Sequence, residues 1–205
     1  MTKRLLSVLI CTLPERKNSF DRLINELNRQ RSLIPNGEEL IQIETDDTPR
    51  GEISIGAKRN LLKDAALGQY IMGIDDDDMI RENFLQLMLE GCYSGKDIIT
   101  YSFDYYVDGK YLKTMVMNRF LPDGNDHCSK HWATNYNKTH RFKINGHYHL
   151  CAVKRELADQ VDFIDENNME DVTYSNALIP LIQTEFHIEH TLLNVYFDSK
   201  KTPNV

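Results

Sequence analysis

A short apolar run that ends in four consecutive aspartates restricts the fold of this chain more than any other stretch; it covers 70–78 and has the sequence Tyr-Ile-Met-Gly-Ile-Asp-Asp-Asp-Asp. Its length suits a strand buried on both faces, which places Asp75 at the carboxyl end. Ligands bind at this end of strands in open α/β sheets. Adjacent carboxylates repel one another, and their oxygens suit a hard cation, so the run predicts a Mg²⁺ or Mn²⁺ site. A helix-capping acidic turn is the alternative, although a cap requires only one Asp.

The segments on either side of this run alternate between strand and helix patterns. Ser19 is a plausible N-cap for the first helix, and Gly68 is expected to end the second one as a C′ glycine. The expected elements are strands at 5–11 and 40–43 and helices at 19–31, 55–67 and 82–92. This alternation predicts an α/β sheet.

The second half of the chain has a more varied pattern. Asp108-Gly109 is a strong signal for a two-residue hairpin between strands at 97–106 and 110–117, which would form a small antiparallel segment. Residues 121–146 are expected to form a long functional loop, because structureless loops of this length are otherwise uncommon. The remaining expected elements are a strand at 147–153, helices at 156–160 and 170–178, and a closing strand at 185–197.

Composition narrows the class of protein. A length of 205 residues fits a single domain, and a net charge of −7 lacks the basic character expected of a nucleic-acid-coating surface. Nucleic acid is therefore expected only as a substrate. No run approaches the ~20 apolar residues of a membrane span, and the first residues do not match a signal peptide. The four cysteines are widely spaced, so the expected location is the cytoplasm, of a cell or of an infected host cell.

In order, these motifs resemble those of family-2 glycosyltransferases with the GT-A fold, over roughly residues 5–196. The run 12–16 (Thr-Leu-Pro-Glu-Arg) resembles the family's loop beside the nucleotide, and Asp46-Asp47 resembles the acidic position that binds uracil or ribose. Residues 56–60 (Gly-Ala-Lys-Arg-Asn) resemble the Gly-x-x-Arg-Asn segment, and 70–78 resembles the strand with its Asp-x-Asp motif. Several C-terminal pieces are also similar to small stand-alone viral members of the family.

The resemblance implies a set of site residues. Metal ligands would be Asp75 and Asp77. The Glu170-Asp171 pair resembles the one at the head of the acceptor-side helix, with Asp171 as the base, and Glu170 and His149 would contact the acceptor. The residues implied to bind the donor nucleotide are Thr12, Pro14, Glu15, Arg16, Asp46, Asp47, Lys58, Arg59, Asp75 and Asp76.

The implied activity is metal-dependent, inverting transfer of a sugar from a nucleotide-diphosphate sugar, expected to be UDP-linked, to a hydroxyl group. A divalent ion, Mn²⁺ or Mg²⁺, would stabilise the departing diphosphate, and a carboxylate on the opposite side would take the acceptor proton. By this resemblance the chain is one glycosyltransferase domain, 1–205. Residues 1–107 would bind the nucleotide sugar, and 108–205 would form the acceptor side.

Two other functions remain open at this point. A nucleotidyltransferase also uses carboxylates and a metal, but it usually carries a glycine-rich phosphate loop, and 12–16 contains no glycine. A non-catalytic nucleotide-sugar-binding module is the other alternative, against which the Glu170-Asp171 pair argues; that pair could also simply favour a helix N-terminus.

The acceptor is a further open question: a glycan, a protein or a modified DNA base. Four aromatic side chains could stack on a sugar or a base: Tyr105, Tyr106, Trp132 and Tyr136. For Tyr105 and Tyr106, packing is the expected role. A basic cluster within 130–143 would suit either an anionic acceptor or a diphosphate.

Overall fold

The computed structural model describes residues 4–117 and 148–198. The strands in these residues are β1 (Leu6–Cys11), β2 (Ile41–Asp46), β3 (Tyr70–Gly73), β4 (Met79–Ile80), β5 (Ile98–Val107), β6 (Lys110–Val116), β7 (Ala152–Lys154) and β8 (Glu185–Phe197). The helices are α1 (Lys17–Leu33), α2 (Gly37–Leu40), α3 (Ile55–Ala65), α4 (Phe84–Tyr93), α5 (Arg155–Ala158) and α6 (Glu170–Leu178). The predicted loop at 121–146, with Trp132, Tyr136 and the basic cluster, lies outside the described residues.

The described strands form one sheet in the order β2-β1-β3-β7-β5-β8-β4, with β6 paired to β5. β1 pairs in parallel with both β2 and β3, and β5 pairs in parallel with β8. β7 runs antiparallel to both β3 and β5, so those two strands run in the same direction. The carboxyl ends of β1, β2, β3, β5 and β8 therefore point toward one edge of the sheet.

Two of these strands extend well past that edge. Ile71 of β3 and Ile98 of β5 both pair with Val153, so they lie at the same level of the sheet. β3 ends at Gly73, whereas β5 continues to Val107 and remains paired with β8 and β6. At ~3.3 Å per residue, the ends of β5 and β8 project beyond the end of β3.

The apolar core explains why the first strands form where the sequence predicts them. All five residues of 6–10 are buried, as are Tyr70, Ile71 and Met72 of β3. Such continuous apolar runs suit parallel strands that are covered on both faces. On α1, Leu23 and Leu27 are fully buried one turn apart and form the stripe that packs on the core.

The fold confirms the predicted α/β class of the GT-A type. The Asp108-Gly109 hairpin joins β5 to β6 as predicted, and Asp108 and Gly109 both have positive φ. The helix at 170–178 and the strand at 185–197 begin and end where the sequence pattern places them. None of the described helices has the length and apolar character needed to cross a bilayer.

Three local predictions were wrong. α1 begins at Lys17 after a 3₁₀ turn at Pro14–Arg16, so Ser19 is not its N-cap; the Ser19 hydroxyl donates to the Arg16 carbonyl at 3.0 Å. Gly68 is not a left-handed C′ glycine, because α3 ends earlier and a Cβ on Gly68 would lie 2.6 Å from the Ser7 nitrogen. Residues Tyr148–Leu150 form a 3₁₀ turn rather than the start of a strand, and the strand predicted here begins only at Ala152.

Candidate functional site

The four consecutive aspartates, here called the aspartate loop (Asp75–Asp78), send their carboxylates in different directions. Asp76 is buried, and it accepts hydrogen bonds from the Thr12 hydroxyl at 2.7 Å and from Arg16 at 2.8 Å. Asp78 is also buried, and its Oδ1 accepts the backbone N–H of Tyr196 on β8 at 3.0 Å. Burial and the nearby Asp75 raise the pKa of Asp78 well above its ordinary value. The chain itself therefore accommodates much of the repulsion expected from the sequence.

The carboxylate of Asp77 is half-buried, and its negative charge is only partly compensated. Arg16 Nη1 lies 3.6 Å from Asp77 Oδ2, beyond hydrogen-bonding distance. Partial burial, followed by the negative charges of Asp75 and Asp76, raises the pKa of Asp77 above its ordinary value, although Arg16 partly opposes the shift. A cation placed at this half-buried carboxylate would relieve that repulsion.

A cleft of about 380 Å³ lies beside the aspartate loop. Its volume falls within the range of small-molecule sites. The cleft brings together four of the residues predicted to bind the nucleotide, Thr12, Arg16, Lys58 and Asp76. The other residues that line it are Cys11, Leu13, Arg50, Gly51, Ile53, Ile55 and Asn167.

Lys58 fixes one wall of this cleft. Its buried Nζ donates to the Thr12 carbonyl at 2.9 Å and also to the Thr48 carbonyl, and it lies 3.7 Å from Asp46 Oδ1. Partial burial raises the pKa of Asp46, but hydrogen bonds from Thr48 and the charge of Lys58 outweigh it and lower the pKa. Lys58 thus joins the loops that follow β1 and β2. Its ammonium group is buried against these loops and is not exposed to a ligand.

Arg59 joins the aspartate loop to the start of α6. Its Nη2 donates to Asp75 Oδ1 at 2.9 Å, and its Nε lies 3.4 Å from Glu170 Oε1. Burial would raise the pKa of Asp75, but Arg59 and then His149 hold it well below its ordinary value. For Glu170, burial raises the pKa and Asp171 adds to the rise, while Arg59 opposes it.

The predicted acceptor-side residues lie around this arginine. His149 is buried, with Nε2 4.0 Å from Asp75 Oδ2, and a Cβ on Gly73 would lie 3.2 Å from the His149 carbonyl oxygen. Asp171 lies in the first turn of α6, where its Oδ1 accepts the backbone N–H of Val172 at 2.8 Å. His149 and Glu170 are therefore grouped around Arg59 and Asp75, with Asp171 next to Glu170 in the chain, whereas Thr12 and Arg16 contact Asp76.

Six of the ten residues predicted to bind the donor do not line the cleft, and the structure adds others; Asp46, Arg59 and Asp75 are three of the six. Pro14, Glu15 and Asp47 are exposed at the surface. Arg50 and Asn167 line the cleft, but the sequence analysis did not single them out. The turn-forming Pro49-Arg50-Gly51 run was a usable signal for the first of these, whereas nothing in the local sequence pointed to Asn167.

These features define a GT-A-type protein with a ligand cleft at the carboxyl edge of its sheet. A family model described as glycosyl transferase family 2 matches residues 38–163, more than half of the chain, so this chain belongs to that family. A comparison with curated protein sequences finds no match.

Solved structures of TarS from S. aureus share the fold. The TarS 1–349 structure has a TM-score of 0.61 at 12% identity, and its complex with UDP-GlcNAc has a TM-score of 0.63 at 12% identity. The match covers 94% of this chain but only 60% and 58% of those two chains. A complex of TarS 1–349 with UDP matches with a TM-score of 0.61 at 13% identity, covering 94% of this chain and 60% of that one. At such low identity the likeness establishes the fold alone.

Proposed function

We propose that this chain transfers a sugar from a nucleotide-diphosphate sugar, UDP-linked, to a hydroxyl group of an acceptor. The observation that carries the proposal is the position of the aspartate loop between two groups of residues. The cleft with Thr12, Arg16 and Asp76 lies on one side, and the Arg59–Glu170 pair lies on the other. Family membership supports the reaction class, and the TarS complexes with UDP and UDP-GlcNAc support the choice of donor.

The cleft offers the donor a polar lining and a cation, Arg16, that is already held in place. Arg16 is only partly buried, and it is held by Asp76 at 2.8 Å while still bordering the cleft. A guanidinium fixed in this way can donate to a phosphate oxygen with little loss of side-chain freedom. Thr12 and Lys58 mainly hold the cleft walls in place through their mutual contact at 2.9 Å.

The aspartate loop fits a divalent ion that takes few protein ligands. Within residues 4–117 and 148–198, no group of three or more His, Cys, Asp or Glu is arranged to hold a metal. Mg²⁺ is commonly bound through one or two carboxylates plus substrate phosphates, and the under-compensated Asp77 suits this arrangement. Asp75 would be the second ligand, although it already pairs with Arg59. When bound, Mn²⁺ or Mg²⁺ would supply Lewis-acid stabilisation of the diphosphate.

Asp171 is the proposed base. Its carboxylate would accept the proton of the acceptor hydroxyl as the oxygen attacks the anomeric carbon, while the bond to the diphosphate oxygen breaks on the opposite face. One such displacement inverts the configuration at that carbon. Buried Glu170, held by Arg59, positions the first turn of α6 and thereby Asp171, and His149 borders the same region.

Ligand-dependent stability tests the proposal. Thermal shift and calorimetry would be run with UDP, GDP, CMP and UDP-sugars, each with and without Mn²⁺, because ligands that bind the native state stabilise it by mass action. We expect metal-dependent stabilisation by UDP and its sugars, and slow release of UDP from UDP-sugar. Stabilisation by none of these ligands in the presence of Mn²⁺ would overturn the proposal. Binding with no turnover toward any acceptor or water would instead identify a binding module.

A further inference from the structure

Three tyrosines form a row at the projecting ends of β5, β6 and β8, here called the tyrosine ledge (Tyr106, Tyr111 and Tyr196). Tyr106 pairs with Tyr111 across one strand boundary and with Tyr196 across the other, so all three share one face of the sheet. The rings of Tyr106 and Tyr196 stack with centroids 5.0 Å apart and 27° between planes, and Tyr111 meets Tyr106 edge-on at 5.8 Å. Tyr111 is 51% exposed and Tyr196 is 36% exposed.

The ledge is attached directly to the aspartate loop. The backbone N–H of Tyr196 is held by Asp78, and Arg22 Nη2 donates to the Asp77 carbonyl at 3.2 Å. The Arg22 guanidinium also lies over the Tyr196 ring, 5.8 Å from its centroid. These contacts give the ledge a fixed position relative to Asp77, the proposed metal ligand. Because β5 and β8 project beyond β3, the ledge stands above the edge of the sheet at which the donor would bind.

The chemistry of the ledge favours a carbohydrate. Exposed aromatic faces pack well against the C–H face of a sugar ring, and polar groups at the rim can bond its hydroxyls. Here the rim carries the Tyr111 hydroxyl, which lies 3.0 Å from the Thr114 hydroxyl, and the guanidinium of Arg22.

We propose that the tyrosine ledge is an acceptor subsite that binds a sugar ring of a carbohydrate acceptor. The role of the ledge as an acceptor subsite rests on the proposed glycosyl transfer. Sugar binding by the ledge, however, can be measured without turnover. Tyr106 supports the exposed rings, and Tyr111 and Tyr196 make the contact. The acceptor is then an oligosaccharide or a glycan-bearing molecule, whose bound ring lies at a fixed offset from the hydroxyl that is glycosylated.

Saturation-transfer NMR and calorimetry on the full chain provide the test, with chito-, cello- and malto-oligosaccharides as probes. The variants are Tyr111→Ala, Tyr196→Ala and the ring-preserving Tyr111→Phe. Tyr93→Ala is the matched control, since Tyr93 is 67% exposed at the end of α4 and lies outside the ledge. We expect at least one oligosaccharide class to bind, about tenfold weaker affinity in each ledge Ala variant (~1.4 kcal/mol), and near-normal affinity in Tyr111→Phe and Tyr93→Ala.

The outcomes separate the subsite from the proposed function. No binding by the wild-type chain, or equal loss in Tyr93→Ala, overturns the ledge as a sugar site. Preferential binding of a single-stranded DNA oligonucleotide that depends on the same tyrosines also overturns the carbohydrate assignment. Melting temperatures of all variants exclude unfolding as the cause. Stabilisation by UDP with Mn²⁺ is measured in parallel. If the wild-type chain shows no such stabilisation, the proposed function is overturned, whereas the ledge variants should show the same stabilisation as the wild-type chain.

Discussion

The Arg59 guanidinium donates a hydrogen bond to Asp75 Oδ1 at 2.9 Å, although the Arg59 side chain is only 8% exposed. The same guanidinium lies 3.4 Å from Glu170 and 5.7 Å from the centroid of the Phe163 ring. A buried cation between two carboxylates gains its stability from having both partners. This contact therefore links the aspartate loop at the end of β3 to the start of α6.

Removing this cation should destabilise the fold strongly. Arg59→Met leaves Asp75 and Glu170 without their shared partner, and we expect a loss of about 3–5 kcal/mol in the free energy of unfolding, measured by urea denaturation. Arg29→Met is the matched control, because Arg29 pairs with Glu26 at the surface. Such exposed pairs contribute little to stability, so equal losses in the two variants would contradict the buried role of Arg59.

The stability difference between the wild-type chain and Arg59→Met should depend on pH. Arg59 lowers the pKa of Asp75, so its contribution is fully present above the ordinary Asp pKa of about 3.9 and is lost as the pH falls through the lower value in the folded state. Arg59 also favours the ionised form of Glu170, so this second contribution to stability is likewise present at neutral pH and lost in acid. We expect the difference to be largest near neutral pH and to shrink in acid. A stability difference between the two chains that stays constant as the pH is lowered would argue against an electrostatic contribution.

Asp77→Asn should separate metal binding from folding. Because partial burial, and then repulsion by Asp75 and Asp76, raises the pKa of Asp77, the ionised side chain disfavours the folded state above that pKa, so the amide should slightly raise the melting temperature without metal. The same variant should lose the stabilisation that Mn²⁺ adds to UDP binding. Asp64→Asn, at an exposed position on α3, is the control that should change neither quantity. Retained Mn²⁺ dependence in Asp77→Asn would reject Asp77 as a metal ligand.

Asp171→Asn should abolish transfer while leaving donor binding nearly intact. The amide cannot accept the proton of the acceptor hydroxyl, and removal of a general base typically costs about 10²–10⁴-fold in rate. Product formation from a UDP-sugar gives the rate, and calorimetry with UDP gives the binding. Glu166→Gln changes an exposed carboxyl in the segment just before α6 and serves as the control. Equal transfer rates in the wild-type chain and Asp171→Asn would eliminate the proposed base.

Much of the fold was predictable because it depends on patterns that local sequence carries. The continuous apolar runs of β1 and β3 and the Asp108-Gly109 pair reflect burial and turn geometry, which act within a few residues. The order of strands and helices then places the aspartate loop at the carboxyl edge of the sheet. The grouping of Thr12, Arg16 and Asp76 follows from the same topology.

The remaining features depend on contacts between distant parts of the chain, so the sequence pattern could not supply them. Nothing local determines that Asp78 turns toward β8 while Asp76 turns toward Thr12. Lys58 was expected to bind the donor nucleotide, and the pattern gave no sign that its ammonium group also donates to the backbone carbonyls of Thr12 and Thr48. Asn167 reaches the cleft lining from the segment that precedes α6. In each case the partner is supplied by another element of the fold.

Gly68 offers a test of one such distant contact. A Cβ at this position would lie 2.6 Å from the Ser7 nitrogen and 2.7 Å from the Leu6 carbonyl carbon, and these backbone atoms belong to the buried strand β1. Since the backbone cannot move aside as a flexible side chain can, Gly68→Ala should cost at least about 1–3 kcal/mol in urea denaturation. Gly51→Ala is the comparison, because Gly51 has open space around it but a φ of +91°. Its loss should be only about 1 kcal/mol, from backbone strain alone. A smaller loss for Gly68→Ala than for Gly51→Ala would show that close approach to β1 does not explain the glycine.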